Sequence, residues 1–144
     1  MSMPGMGWQV WALLAAVFAA LTAIFAKIGV EGVNSDYATF FRTLVVALVL
    51  GAILIASGQM QSPLTLAPRT IVFLVLSGLA TGASWLCYFR ALQIGQASQV
   101  APVDKLSVVL VALFGVIFLG ERLSGVSWLG VALVGSGAVL MALG

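Results

Sequence analysis

Residues 99–143 read QVAPVDKLSVVLVALFGVIFLGERLSGVSWLGVALVGSGAVLMAL. From Leu106 to Leu119, and again from Gly125 to Leu143, there is no charged side chain. Two apolar runs close to the ~20 residues needed to cross a bilayer core are thus joined only by Gly120-Glu121-Arg122-Leu123-Ser124. So short a link makes the two runs antiparallel neighbours, and the stretch predicts a helical hairpin in lipid.

Moving outward from the hairpin, the same pattern recurs. The expected spans are about Trp8–Ile28, Asp36–Ser57, Thr70–Gln93, Gln99–Leu119 and Gly125–Leu143. The breaks between them are the polar stretch Glu31 to Asp36, a loop from Gly58 to Arg69 with Pro63 and Pro68, and Gly95-Gln96-Ala97-Ser98. Asn34, Ser35 and Asp36 can each accept from the free amides that open the second span. Trp8 and Trp11 suit an interfacial anchor. The segment Met1 to Gly7 carries no Lys or Arg, so the first span is expected to be retained and not cleaved as a signal peptide.

Composition agrees with this class and closes off others. The chain has 144 residues, 62% hydrophobic and 7% charged, where an average soluble domain has roughly 25% charged. A water-soluble fold could not cover its surface, so the fold class is an all-α membrane protein of five transmembrane helices in a single domain. Six Lys and Arg against four Asp and Glu leave a net charge of +2, too little for a nucleic-acid surface. Cys87 is the single cysteine and there is no histidine. An internal disulfide, His-containing metal sites and Ser-His or Cys-His nucleophiles are excluded, and no metal, cofactor or enzymatic activity is expected.

Five spans put the chain ends on opposite membrane faces. On the face of the N-terminus lie the loops with Arg69 and Arg122, and on the other face lies Lys27 at a helix end. Counting the helix-end residues Arg42, Arg90 and Lys105 reverses the bias, so the positive-inside rule gives no orientation and the chain could insert both ways.

Small residues form rows for close helix approach: Ala12, Ala16 and Ala20, then Gly78 and Gly82, then Gly130, Gly135 and Gly137 on the span most suited to a subunit contact. The embedded charges carry more chemistry. At 1.5 Å per residue, Arg42 and Asp104 lie roughly 8 to 10 Å inside one face, with Arg90 and Lys105 at comparable depth. Glu31, Asp36 and Asp104 are the acids available to Lys27, Arg42, Arg90 and Lys105. These charges either neutralise one another and fix helix register or line a solute path. Asp104, beside Lys105, reads as a fixed charge or gate partner and not as a proton carrier. Thr81, Ser84, Trp85 and Tyr88 recur at i, i+3, i+4 and i+7 and form one stripe suited to an organic solute, or in part to an interfacial belt. Cys87 reads as a small buried apolar residue. Pro102 interrupts the fourth span if the helix begins near Ser98, and is an ordinary first-turn proline if it begins at Val100 or Ala101.

Several of these marks, in order, resemble the EamA family of the drug/metabolite transporter superfamily. They are Lys27 closing the first span, Phe41-Arg42, Ala101-Pro102, Phe118-Leu119-Gly120-Glu121-Arg122-Leu123, Trp128-Leu129-Gly130 and Gly135-Ser136-Gly137-Ala138-Val139-Leu140. The resemblance implies a transporter, commonly an exporter, of small metabolites or drugs. Most members carry two inverted five-helix repeats and this chain carries one, which implies that an antiparallel homodimer rebuilds the pair. Pro102, Gly120, Glu121 and Arg122 then read as structural, with Glu121 complementing the start of the fifth span and Arg122 reaching headgroup phosphate.

The expected protein is a multi-pass exporter of the bacterial inner membrane whose partners are a small-molecule solute, the lipid bilayer and a second copy of the chain, with no nucleic acid. Arg42, Thr81, Ser84, Trp85, Tyr88, Arg90, Asp104 and Lys105 are the expected solute-binding residues. The alternatives are a half-subunit pairing with a different membrane protein and a membrane-embedded enzyme acting on lipid, for which Asp104 and Lys105 would be almost the whole catalytic inventory.

Overall fold

A computed structural model describes residues 7–144. The cation-free segment on which the expectation of a retained first span rests lies, up to residue 6, outside them. The elements are α1 (Trp8–Gly29), α2 (Ser35–Ala56), a 3₁₀ turn (Pro63–Thr65), α3 (Pro68–Ile94), α4 (Ala97–Asp104), α5 (Leu106–Leu119) and α6 (Gly125–Leu143). Among the described residues there is no strand. With α4 and α5 taken as one crossing, five helices are long and apolar enough to cross a membrane.

Local chemistry sets the helix ends. Asn34 caps α2, its side-chain oxygen accepting from the amides of Asp36 at 2.9 Å and Tyr37 at 3.0 Å. At the other end Gly58 takes φ 66°, and Gln59 and Gly58 donate back to Leu54 at 3.0 Å and Ile55 at 3.2 Å. That reversal closes the last carbonyls of α2 and needs a residue without a Cβ. Pro68 opens α3, where its missing amide costs nothing. Ser124 caps α6 by accepting from Ser127 N at 3.1 Å.

The fourth crossing departs from a plain helix. It begins at Ala97, so Pro102 sits inside α4 and not in its first turn. Ser98 therefore has no amide at position 102 to accept from. The turn tightens, with Lys105 N donating to Pro102 O at 3.0 Å, and regular helix resumes only at Leu106.

The chain falls into two compact units, one of residues up to Phe25 with Ile94–Gly144, the other of Ala26–Gln93. In the first, α6 packs along both α4 and α5. Gly135 permits the approach to α5, because a Cβ there would lie 3.1 Å from Val109 Cγ2. In the second, the buried residues are Val30, Leu92, Phe89, Ala26, Ser35 and Thr39. Elsewhere the large apolar side chains point outward, among them Leu48 at 73% and Leu140 at 69% exposure. In lipid such surfaces are solvated by acyl chains, and what must be satisfied internally is the backbone and the few polar groups.

Candidate functional site

The polar residues of the second unit converge on one end. There the close of α1, the turn Val30–Asn34, the start of α2 and the close of α3 meet. Lys27 Nζ donates to the Leu92 carbonyl at 2.7 Å, one of the last carbonyls of α3, which has no amide of its own helix to accept from. Gln93 Nε2 donates to Val33 O at 2.7 Å and to Val30 O at 3.5 Å. Arg90 Nη2 reaches both oxygens of Asp36, at 3.1 and 3.2 Å. Inside this ring Thr39 and Thr43 return their hydroxyls to the carbonyls of Ser35 and Thr39, both at 2.8 Å, and so spend their polarity within α2.

Arg42 lies about 9 Å further along α2 than Asp36, at 1.5 Å per residue. Its guanidinium carbon stands 3.7 Å from the centroid of Trp85 and 5.6 Å from that of Phe89. Nη1 has essentially no accessible surface and no hydrogen-bond partner, while the side chain as a whole is half-buried. A desolvated cation on an aromatic face gains about 2 kcal/mol, whereas a guanidinium inside a transmembrane helix costs about 3 kcal/mol. The stack thus offsets most of that cost but supplies no acceptor to Nη1.

Of the residues expected at the site, Arg42 and Trp85 are in contact, Tyr88 is half-buried on the same helix as Trp85, and Thr81 and Ser84 are exposed, as is Cys87, whose expected burial the structure does not bear out. Arg90 is committed to Asp36 across a pair whose side chains are 67% and 50% exposed. Lys27 donates to the Leu92 carbonyl.

Asp104 and Lys105 belong to the first unit. On an uninterrupted helix neighbouring side chains diverge by ~100°, yet here Lys105 Nζ lies 3.2 Å from Asp104 Oδ2. The interruption at Lys105 changes the local geometry and brings the two together. It falls about 12 Å along the helix from Ala97. Irregular backbone at such depth is tolerated where it is covered by protein or lines a cavity.

The residues read as structural gather near the α5 to α6 link. Gly120 takes φ 69°, a conformation costly for any residue with a Cβ, and reverses the chain. Glu121 N then donates to Gly115 O at 3.1 Å. The Glu121 carboxylate folds back over Gly115, where Oε2 is 2.5 Å from the place a Cβ would take. The Glu121 amide therefore closes the end of α5, and the Ser124 side chain caps the start of α6. Pro102 produces the interruption in the fourth crossing. Gly78, Gly82, Gly130 and Gly137 have open space where a Cβ would stand. A shallow apolar groove of about 540 Å³, lined by Leu106, Val109, Gly135, Ser136, Val139 and Leu140, runs beside α6.

Sequence reasoning missed Gln93, Phe89 and Gly115. Gln93 carried a signal, since a lone amide four residues beyond Phe89 at the close of an apolar helix has few partners but loop carbonyls. Phe89 and Gly115 carried none, because each acts through a neighbour that only the fold brings near.

Comparison with known proteins agrees with this architecture. Residues 6–143 match the model of the EamA-like transporter family. The chain is 62% identical over 135 residues to a Sinorhizobium protein described as an uncharacterized transporter in the cobO 3' region, covering 94% of this chain and 96% of that one. No solved structure matches it. A family match over nearly every residue, on an all-helical chain with five spans, establishes that the protein belongs to the EamA-like transporter family.

Proposed function

We propose that the chain moves a small polar or amphipathic solute across the bacterial inner membrane as an antiparallel homodimer, in the direction of export and by alternating access. Family membership and the transporter relative support a membrane transporter. The observation that carries the finer reading is Arg42. A charge held between membrane-crossing helices, stacked on Trp85 and without an acceptor for Nη1, is costly to keep unless a solute uses it.

In this reading Trp85 and Phe89 meet the apolar part of the solute, Tyr88, Ser84 and Thr81 extend the lining along α3, and Arg90 stands further out. Asp104 and Lys105, at the interruption of the fourth crossing, form a second polar station. The pair, 54% and 37% exposed, stands open to a solute that would replace its internal contact. The contradictory cation counts support dual insertion, and dual insertion supplies the inverted partner that a single repeat needs. The relative, matched over 96% of its length, is likewise about one repeat long.

The test has two readouts. Reporters fused after Gly144 should be active on both membrane faces, and two or three added Lys between Gly58 and Arg69 should drive the population to one face. Purified protein in liposomes should move radiolabelled solutes from a metabolite panel, with Asp104→Asn and Lys105→Met lowering flux more than they lower folded yield. A reporter active on one face with full transport retained would falsify the antiparallel homodimer, and absence of flux for every solute would remove the transporter reading itself.

A further inference from the structure

We infer that the solute taken by the α2–α3 site is an organic anion, a small carboxylate with an apolar body, and that Arg42 is the residue that selects its charge. This deepens the transporter reading and rests on it.

The argument is an inventory of charge at one end of the second unit. Three cations, Lys27, Arg42 and Arg90, stand there against two acids, Glu31 and Asp36. Lys27 is satisfied by the Leu92 carbonyl and Arg90 by both oxygens of Asp36. Among the described residues no acid lies within salt-bridge distance of Arg42, and exposed Glu31 pairs with no cation. Asp36 cannot turn inward, because it is two turns away along α2 and already held. This end therefore keeps an excess of positive charge: Lys27 retains its charge on a neutral acceptor, and Arg42 is the cation whose buried Nη1 has no acceptor.

Its surroundings define the shape of what would neutralise it. Trp85 covers one side of the guanidinium at 3.7 Å, and Phe89 stands at 5.6 Å. The stacking fixes the plane of the fork, so ordering the side chain costs little when a ligand arrives. A carboxylate can take two parallel N–H bonds from such a fork, which neither an amide nor an amine can do. An amine would add a second cation to an already positive site. The aromatic pair beside the fork would hold the solute's apolar part. Arg90, a turn or more outward, is bound to Asp36 through an exposed pair that an incoming anion can exchange.

The experiment uses the full chain in nanodiscs, with Trp8, Trp11 and Trp128 changed to Phe so that Trp85 alone reports by fluorescence. The probes are one scaffold in three charge states, benzoate, benzamide and benzylamine, and the homologous set phenylacetate, phenylacetamide and phenethylamine. The carboxylates should quench Trp85 at concentrations about tenfold or more below those of the amides, the ratio expected of a charge-assisted fork over a neutral contact. The amines should not compete. Arg42→Gln should abolish the preference, and Arg42→Lys, which keeps the charge but loses the fork, should retain part of it. Equal binding of carboxylate and amide, preferred binding of amine, no quenching by either carboxylate, or a preference that survives Arg42→Gln would each overturn the proposal. Because binding is read without a gradient, a chain that binds carboxylates and moves nothing would defeat the transporter reading alone. A chain that moves amines and excludes carboxylates would defeat this inference alone.

Discussion

The two units solve the same problem by opposite means. Helices in lipid have no hydrophobic drive to bury apolar faces against each other, so close packing and polar contacts must join them. In the first unit α5 and α6 approach by deletion of side chain, with Gly135 yielding room to Val109 and Gly115 to Glu121. Its charged pair, Asp104 and Lys105, is neutralised between neighbours in sequence and ties no other helix. In the second unit long polar side chains make the joints, as Lys27, Gln93 and Arg90 cross from one segment to another and end on oxygen. Where polarity is the mortar, a cation that meets aromatic rings and leaves a buried Nη1 without an acceptor stands out, and that group is Arg42.

The contrast can be broken most readily at Lys27. Lys27→Met strands the Leu92 carbonyl and should cost about 2 kcal/mol, the range of a charge-assisted hydrogen bond, read as lowered resistance to unfolding in detergent. Lys105→Met should cost under about 1 kcal/mol while lowering flux. Equal losses of folded protein in the two variants would erase the distinction between the units. Next, Gly135→Leu should push α6 from α5 and cost about 1–3 kcal/mol as an overpacked contact. Gly130→Leu, with open space at its Cα, should leave the unfolding midpoint unchanged. Similar losses from both would mean that the row acts as a whole. A smaller effect is expected at the hairpin, where Gly120→Ala forces a Cβ into left-handed backbone at about 1 kcal/mol, measurable by the same unfolding. The smallest is Asp36→Asn, which removes an exposed pair and should change stability by well under about 1 kcal/mol. It should nonetheless strengthen carboxylate binding at Trp85 by releasing Arg90, and weakened binding would show that Asp36 holds the site open and does not compete with the anion.

Legibility followed the range of the interactions. The spans were readable because each is a local property of some twenty consecutive residues. Asn34 as a cap and Gly120 in the reversal are likewise decided within a few positions. At Pro102 the sequence left two helix starts open, and the choice depended on whether Gln96 and Ala97 begin the turn, which small differences in backbone energy decide. The charges were harder. Three acids and four cations at similar depth allow many pairings, and helix rotation selects among them. Rotation is set by the packing of Val30, Leu92 and Phe89, which the pattern of these uniformly apolar helices does not reveal. That is why the contact of Arg42 with Trp85 had to be seen, although both residues stood out from the start. Thr81 and Ser84 share the stripe of Trp85, but a stripe is only a direction on a helix, and these two positions are exposed where Trp85 meets Arg42.

The interruption at Lys105 also changes the electrostatics of the fourth crossing. A continuous helix would carry one macrodipole with its partial charges at the two membrane faces. Two helices end to end instead bring the negative terminus of α4 and the positive terminus of α5 together within the bilayer, where little screens them. Lys105 complements the first and Asp104 the second. The backbone alone thus gives the pair a reason to stay in place, and a solute that draws off one member must leave a helix terminus bare until it departs.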